Sequence, residues 1–129
     1  MAKILIVDDS QVDRMVVRKF LAGTSHQLIE LGNPENVEEV IRTEEPDVIL
    51  LDIIMPQRNG YEVCRELKRN PETADIPLIF LSSRSQKSDI FWGKFQGAED
   101  YLTKPVRAKE LLDAIEKWLD QQKHVGLNE

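Results

Sequence analysis

This chain of 129 residues has one cysteine, Cys64. A lone cysteine excludes an internal disulfide and suits a reducing compartment. No segment approaches the roughly 18 uninterrupted apolar residues that a membrane-spanning helix needs. The six glycines form no G-x-G-x-x-G turn and no P-loop, which argues against a nucleotide or flavin binder. Basic residues are in the minority, 17 against 23 acidic, for a net charge of −6. Sequence-independent nucleic-acid binding is driven by neutralising phosphates, so an acidic chain is a poor candidate for it. Low-complexity tracts and repeats of 20–50 residues are also missing. The first apolar run begins by residue 3, which leaves no room for a signal peptide, so a cytoplasmic location is expected.

What remains is the composition of one soluble domain, 41% apolar and 31% charged. Short apolar runs alternate with segments of helical period, the pattern of βαβ units around a parallel sheet. Strands are expected at 3–7, 27–31, 47–51, 77–82 and 99–103. The first, third and fourth are continuous Ile/Leu/Val/Phe runs, as strands covered on both faces should be. Helix one is expected over 11–21, capped by Ser10, with Val12, Met15, Val16, Phe20 and Leu21 as its apolar stripe. Helix two is expected over 34–43 behind Asn33, and helix three over 60–69. Helix four is expected over 87–96, ending at Gly97, and helix five over 108–122. The reading is one domain, 1–122, followed by a short tail, 123–129.

Strand ends carry the chemistry. Ile4-Leu5-Ile6-Val7 runs into Asp8 and Asp9, and Val48-Ile49-Leu50-Leu51 runs into Asp52. Neighbouring strands would gather three carboxylates at one sheet edge. Such a cluster repels itself unless a hard cation sits in it. Ser82 and Lys104 also fall at or just past expected strand ends. Ligands of open α/β sheets bind beyond that rim, at the switch point of strand order.

Taken together, the motifs are identified with the bacterial response-regulator receiver family, of the single-domain chemotaxis-regulator kind. They are Val7-Asp8-Asp9-Ser10, Leu51-Asp52-Ile53-Ile54-Met55-Pro56 with Asn59-Gly60-Tyr61, Leu81-Ser82-Ser83, and Gly97-Ala98-Glu99-Asp100-Tyr101-Leu102-Thr103-Lys104-Pro105. The stretch from Trp92 to Ala98 further resembles stand-alone regulators of type IV pilus twitching and phototaxis. The resemblance implies a flavodoxin-like, doubly wound (βα)5 fold with strand order 2-1-3-4-5. It implies Asp52 as phosphate acceptor and Mg²⁺ (Mn²⁺ can substitute) held directly by Asp9, Asp52 and the Ile54 carbonyl and through a water by Asp8. Lys104 would pair with a phosphoryl oxygen, usually beside a cis bond to Pro105. Ser82 and Tyr101 would be the switch pair. Ile54 and Arg84 would occupy the positions that tune hydrolysis of the acyl phosphate.

The implied function is a stand-alone regulator that takes its phosphoryl group from a histidine kinase or phosphotransfer protein. It would catalyse only its own modification and slow dephosphorylation. It would signal to a target protein through the face of helix four, strand five and helix five, as a monomer or a phosphorylation-dependent dimer, without binding DNA or entering a membrane. The alternatives are a phosphate sink for a shared kinase, or a docking module that never carries phosphate. A hydrolase of the haloacid dehalogenase type would need a second acid two residues after the nucleophile, where Ile54 stands. Cys64 reads as core packing. Trp118 also reads as core, and Trp92 as either core or a partner anchor.

Overall fold

The computed structural model describes residues 1–127, with side chains through Gln122. Five parallel strands lie in the order β2-β1-β3-β4-β5, where β1 is Lys3–Val7, β2 Gln27–Leu31, β3 Val48–Leu51, β4 Leu78–Ser82 and β5 Asp100–Thr103. Helices alternate with them: α1 Gln11–Leu21, α2 Val37–Glu44, α3 Gly60–Arg69, α4 Lys87–Phe95 and α5 Ala108–Leu127. Both the architecture and the strand order match the sequence expectation.

The continuous apolar runs are explained by two cores, one on each face of the sheet. Leu5, Val7, Ile49, Leu51, Leu78 and Phe80 point to one face, where Val37 and Ile41 of α2 and Val63, Cys64 and Leu67 of α3 cover them. Ile4, Ile6, Val48, Leu50, Ile79 and Leu81 point to the other, under Val17 and Leu21 of α1 and Leu111, Ala114 and Ile115 of α5. Burying each such side chain contributes about 1.5–3 kcal/mol, so the central strands anchor the rim above them.

Several boundaries and faces differ from expectation. In α1 it is Val17 and Leu21 that are buried, while Val12, Met15 and Val16 are exposed. Asp13 and Arg14 are turned toward the rim, which rotates the apolar stripe. Helix α2 begins at Val37 instead of Pro34, because the Asn33 side chain accepts from the Glu35 amide (3.0 Å) and closes a turn there. Helix α5 continues past Gln122 to Leu127, through much of the expected tail. Glutamine and lysine tolerate the helix, and no proline stops it. Helix α4 ends at Phe95, and Gly97 follows with a left-handed φ of 109°. Trp92 is exposed, and half-buried Trp118 donates from its ring to Asp100 Oδ2 (3.0 Å).

Candidate functional site

The register builds the site. Val7 pairs with Leu51, and the Asp52 amide donates to the Val7 carbonyl at 3.0 Å, so the residues that follow β1 and β3 emerge side by side. The chain leaves β1 toward β2 on one side and returns to β3 on the other. The rim between β1 and β3 is therefore the switch point of strand order. Carboxylate oxygens of Asp8, Asp9 and Asp52 lie there within 4.8 Å of one another. Asp8 and Asp52 are buried and Asp9 is exposed. Three close carboxylates, all hard oxygen donors, form a donor set suited to a divalent cation of the magnesium or manganese kind.

One ammonium balances part of this charge. Lys104 Nζ donates to Asp8 Oδ2 at 2.8 Å and stands 3.5 Å from Asp52 Oδ2. It also donates to Asp13 Oδ2 at 2.7 Å. Lys104 follows β5 and its bond to Pro105 is cis. Burial alone would lower its pKa, but the hydrogen bonds it donates to Asp13 and Asp8 and the charge of Asp52 outweigh that and raise it. Asp52 is displaced upward from the usual carboxylate range. Burial is the leading cause, opposed by the Lys104 charge and reinforced by Asp8.

The loop after Asp52 is held at close quarters. Asp52 Oδ1 accepts from the Ile53 amide at 2.8 Å. Gly60 donates its amide to the Ile53 carbonyl at 2.7 Å, and a Cβ on Gly60 would lie 2.1 Å from the Asp52 carbonyl oxygen. Only glycine fits there. Asn59 caps α3 by accepting from the Glu62 amide at 2.9 Å. Together these contacts give the Asn59-Gly60 pair a physical reason. The Ile54 side chain points outward, 59% exposed.

Ser82 ends β4 and is fully buried. Its hydroxyl accepts from the Arg84 amide at 3.3 Å, and its carbonyl accepts from the Lys104 amide at 2.8 Å. Tyr101 lies inward, 5.8 Å from the Phe80 ring, and its hydroxyl donates to the Arg84 carbonyl at 2.6 Å. Burial pushes its pKa up to about 12, so it stays a neutral donor. The Arg84 side chain is exposed and pairs with Asp89 at 3.3 Å.

The fold thus brings Asp8, Asp9, Asp52 and Lys104 together, sets Ser82 on the same rim, and places Tyr101 beside the Arg84 backbone. Three residues escaped the sequence reading. Asp13 stands at capping spacing from Ser10, whose hydroxyl accepts from the Asp13 amide, so nothing marked it as a partner of Lys104. Arg14 donates to the Asp8 carbonyl at 2.6 Å while pairing with Glu30 at 3.3 Å, and so fixes the backbone of the acidic turn. Arg58 ties the loop after Asp52 to the turn before α2 through the Pro34 carbonyl, to α2 through Glu38, and to α3 through Glu66.

The chain as a whole resembles known proteins. The response regulator receiver domain family matches residues 4–116. The chain belongs to the response-regulator receiver family. This receiver is 44% identical to protein PilH of Pseudomonas aeruginosa over 115 residues, which is 89% of the chain and 95% of PilH. It is 38% identical to the phosphate regulon transcriptional regulatory protein PhoB of the same organism, over 84% of the chain but only 48% of PhoB. The receiver therefore spans nearly all of PilH and about half of PhoB. Among solved structures, a putative response regulator from Chloroflexus aurantiacus superposes with a TM-score of 0.88 at 27% identity, covering 92% of this chain and 98% of that one. Chemotaxis protein CheY4 of Vibrio cholerae superposes with 0.83 at 26% identity, covering 91% and 98%. No helix among the described residues is long and apolar enough to cross a membrane.

Proposed function

We propose that this receiver accepts a phosphoryl group on Asp52 from a histidine kinase or phosphotransfer protein and passes the signal on by protein contacts. The observation that carries the reading is the meeting of three carboxylates within 4.8 Å with one ammonium, at the switch point of the sheet. A carboxylate oxygen of Asp52 attacks the phosphorus of a phosphohistidine. The P–N bond breaks, its electron pair stays on the imidazole, which takes up a proton, and an acyl phosphate remains. Mg²⁺ held by Asp8, Asp9, Asp52 and the Ile54 carbonyl would neutralise charge on the transferring group. Lys104 pairs with a phosphoryl oxygen from the opposite side, and the Ser82 hydroxyl donates to another.

Phosphorylation then biases a surface built on α4, β5 and α5, with Ser82 and Tyr101 as the link. The likeness to PilH, together with the Trp92–Ala98 stretch, supports a role in pilus-linked motility in the cytoplasm. The test is transfer of labelled phosphoryl from an autophosphorylated histidine kinase. Label on the natural chain that is lost in alkali and absent from Asp52→Asn supports the proposal. Label retained on Asp52→Asn contradicts it.

A further inference from the structure

Helix α4 is unlike the other helices in what it exposes. Its only buried residue is Gly93, yet it carries three of the chain's eight aromatic residues. Phe91, Trp92 and Phe95 are 66%, 47% and 67% exposed. They are also ordered against one another. Trp92 and Phe95 stack at 5.2 Å between centroids with planes 6° apart, and Phe91 stacks on Phe95 at 6.2 Å. An apolar ledge of this kind on a helix with no core stripe marks a contact surface more often than a packing accident.

The ledge borders a groove of about 330 Å³ between α3 and α4, lined by Arg65, Lys68, Arg69, Trp92, Phe95 and Gln96. Among the described residues no carboxylate lines it, in a chain whose net charge is −6. Lys68 is committed, since it pairs with Glu99 at 2.8 Å and donates to the carbonyls of Ala74 and Ile76. Among the described residues Arg65 and Arg69 enter no ion pair. The carboxylates of α3 and α4 that do pair, Glu66 and Asp89, go to Arg58 and Arg84. Two uncommitted guanidinium groups beside a flat aromatic wall suit a ligand that is both anionic and apolar.

We propose that the α3–α4 groove docks an acidic segment of a partner protein carrying an aromatic or aliphatic anchor. The anchor lies on Trp92 and Phe95, and the segment's carboxylates take Arg65 and Arg69 in forked pairs. Nucleic acid is disfavoured, because two arginines offer little phosphate neutralisation against the repulsion of an acidic chain. The helix that carries the ledge also packs against the sheet below it. A Cβ on Gly93 would lie 3.0 Å from the rings of both Phe80 and Tyr101, and the Tyr61 hydroxyl donates to the Asp89 carbonyl at 3.2 Å. Helix α4 therefore rests on Tyr101 through Gly93. The inference deepens the proposed signalling role by naming the partner's chemistry, and rests on that role only for its link to phosphorylation.

The test uses a random dodecamer peptide display panned on the full, unmodified chain. The peptides it enriches are then titrated by fluorescence polarisation against the natural protein, Arg65→Glu, Arg69→Glu and Trp92→Ser. The expected result is enrichment of acidic peptides with an aromatic or aliphatic residue, with binding weakened roughly tenfold in each variant. Unchanged circular dichroism of the variants shows that they still fold. Neutral or basic consensus peptides, no enrichment, or equal binding by the variants would overturn the proposal. So would a dimer in sedimentation that Trp92→Ser abolishes, or preferential binding of a single-stranded oligonucleotide. Phosphoryl acceptance is scored separately on the same samples, so a failure there leaves the peptide result to stand or fall alone.

Discussion

Lys104 Nζ lies 2.7 Å from Asp13 Oδ2 but 3.5 Å from Asp52 Oδ2, so the site's ammonium stands closer to an α1 carboxylate than to the candidate acceptor. Asp13 and a phosphoryl oxygen on Asp52 would compete for the same cation. Asp13 also joins the first turn of α1 to the segment after β5, linking two elements far apart in sequence.

Asp13→Asn frees Lys104 for the acceptor. Because Asp13 is 39% exposed, solvent screening keeps the pair weak, and a gain of roughly threefold in the rate of phosphorylation by acetyl phosphate is expected. Stopped-flow tryptophan fluorescence checks it, and Asp13→Glu should restore the natural rate. A slower Asp13→Asn protein would mean that Asp13 helps the transfer.

Lys104→Met leaves Asp8 and Asp52 buried without their cation. The loss of stability without divalent metal should be about 2 kcal/mol by urea denaturation, since removing one partner strands the other charges. Millimolar Mg²⁺ should recover most of it. A variant as stable as the natural chain without metal would show that the acids do not need the ammonium.

Gly60→Ala places a methyl 2.1 Å from the Asp52 carbonyl oxygen and 2.8 Å from the Ile53 Cα, both backbone atoms that cannot swing aside. A loss of about 3 kcal/mol or more is expected in thermal or urea unfolding. Gly23→Ala, where the added methyl meets nothing within 4 Å, is the matched control.

Ile54 presents an exposed branched side chain that cannot orient a water. Ile54→Asn should shorten the lifetime of the phosphorylated chain roughly tenfold, a modest share of what a positioned polar group can contribute. Loss of phosphate by intact-mass spectrometry measures it, and an unchanged lifetime refutes this role.

Burial pushes the Cys64 thiol from 9.0 up to about 12. The folded chain therefore holds the proton that the unfolded chain releases first. Its stabilising contribution is complete below the unfolded value and fades as pH rises through that value toward about 12. Between about pH 8 and pH 10.5 the natural chain should lose more stability in urea than Cys64→Ala does. Parallel losses would place the thiol in solvent.

The sheet was legible because buried parallel strands impose unbroken apolar runs, and Ile4–Val7, Val48–Leu51 and Leu78–Leu81 are such runs. The acids and Lys104 were legible as residues at strand ends and through their family motifs. The face of α1 was not, since Asp13 and Arg14 turn inward to partners that only the closed sheet brings near. Arg58 was invisible for the same reason, as its partners on α2 and α3 lie 20 and 8 residues away. Asn33 was read as a helix cap because an Asx turn and an N-cap use the same residue.

The most direct measurement is intact-mass spectrometry after incubation with acetyl phosphate, with and without Mg²⁺, on the natural chain and on Asp52→Asn. One added phosphoryl group is expected on the natural chain with Mg²⁺, and none on Asp52→Asn or without metal. An equal gain on Asp52→Asn, or no gain on the natural chain with either acetyl phosphate or a phosphorylated histidine kinase, would contradict it.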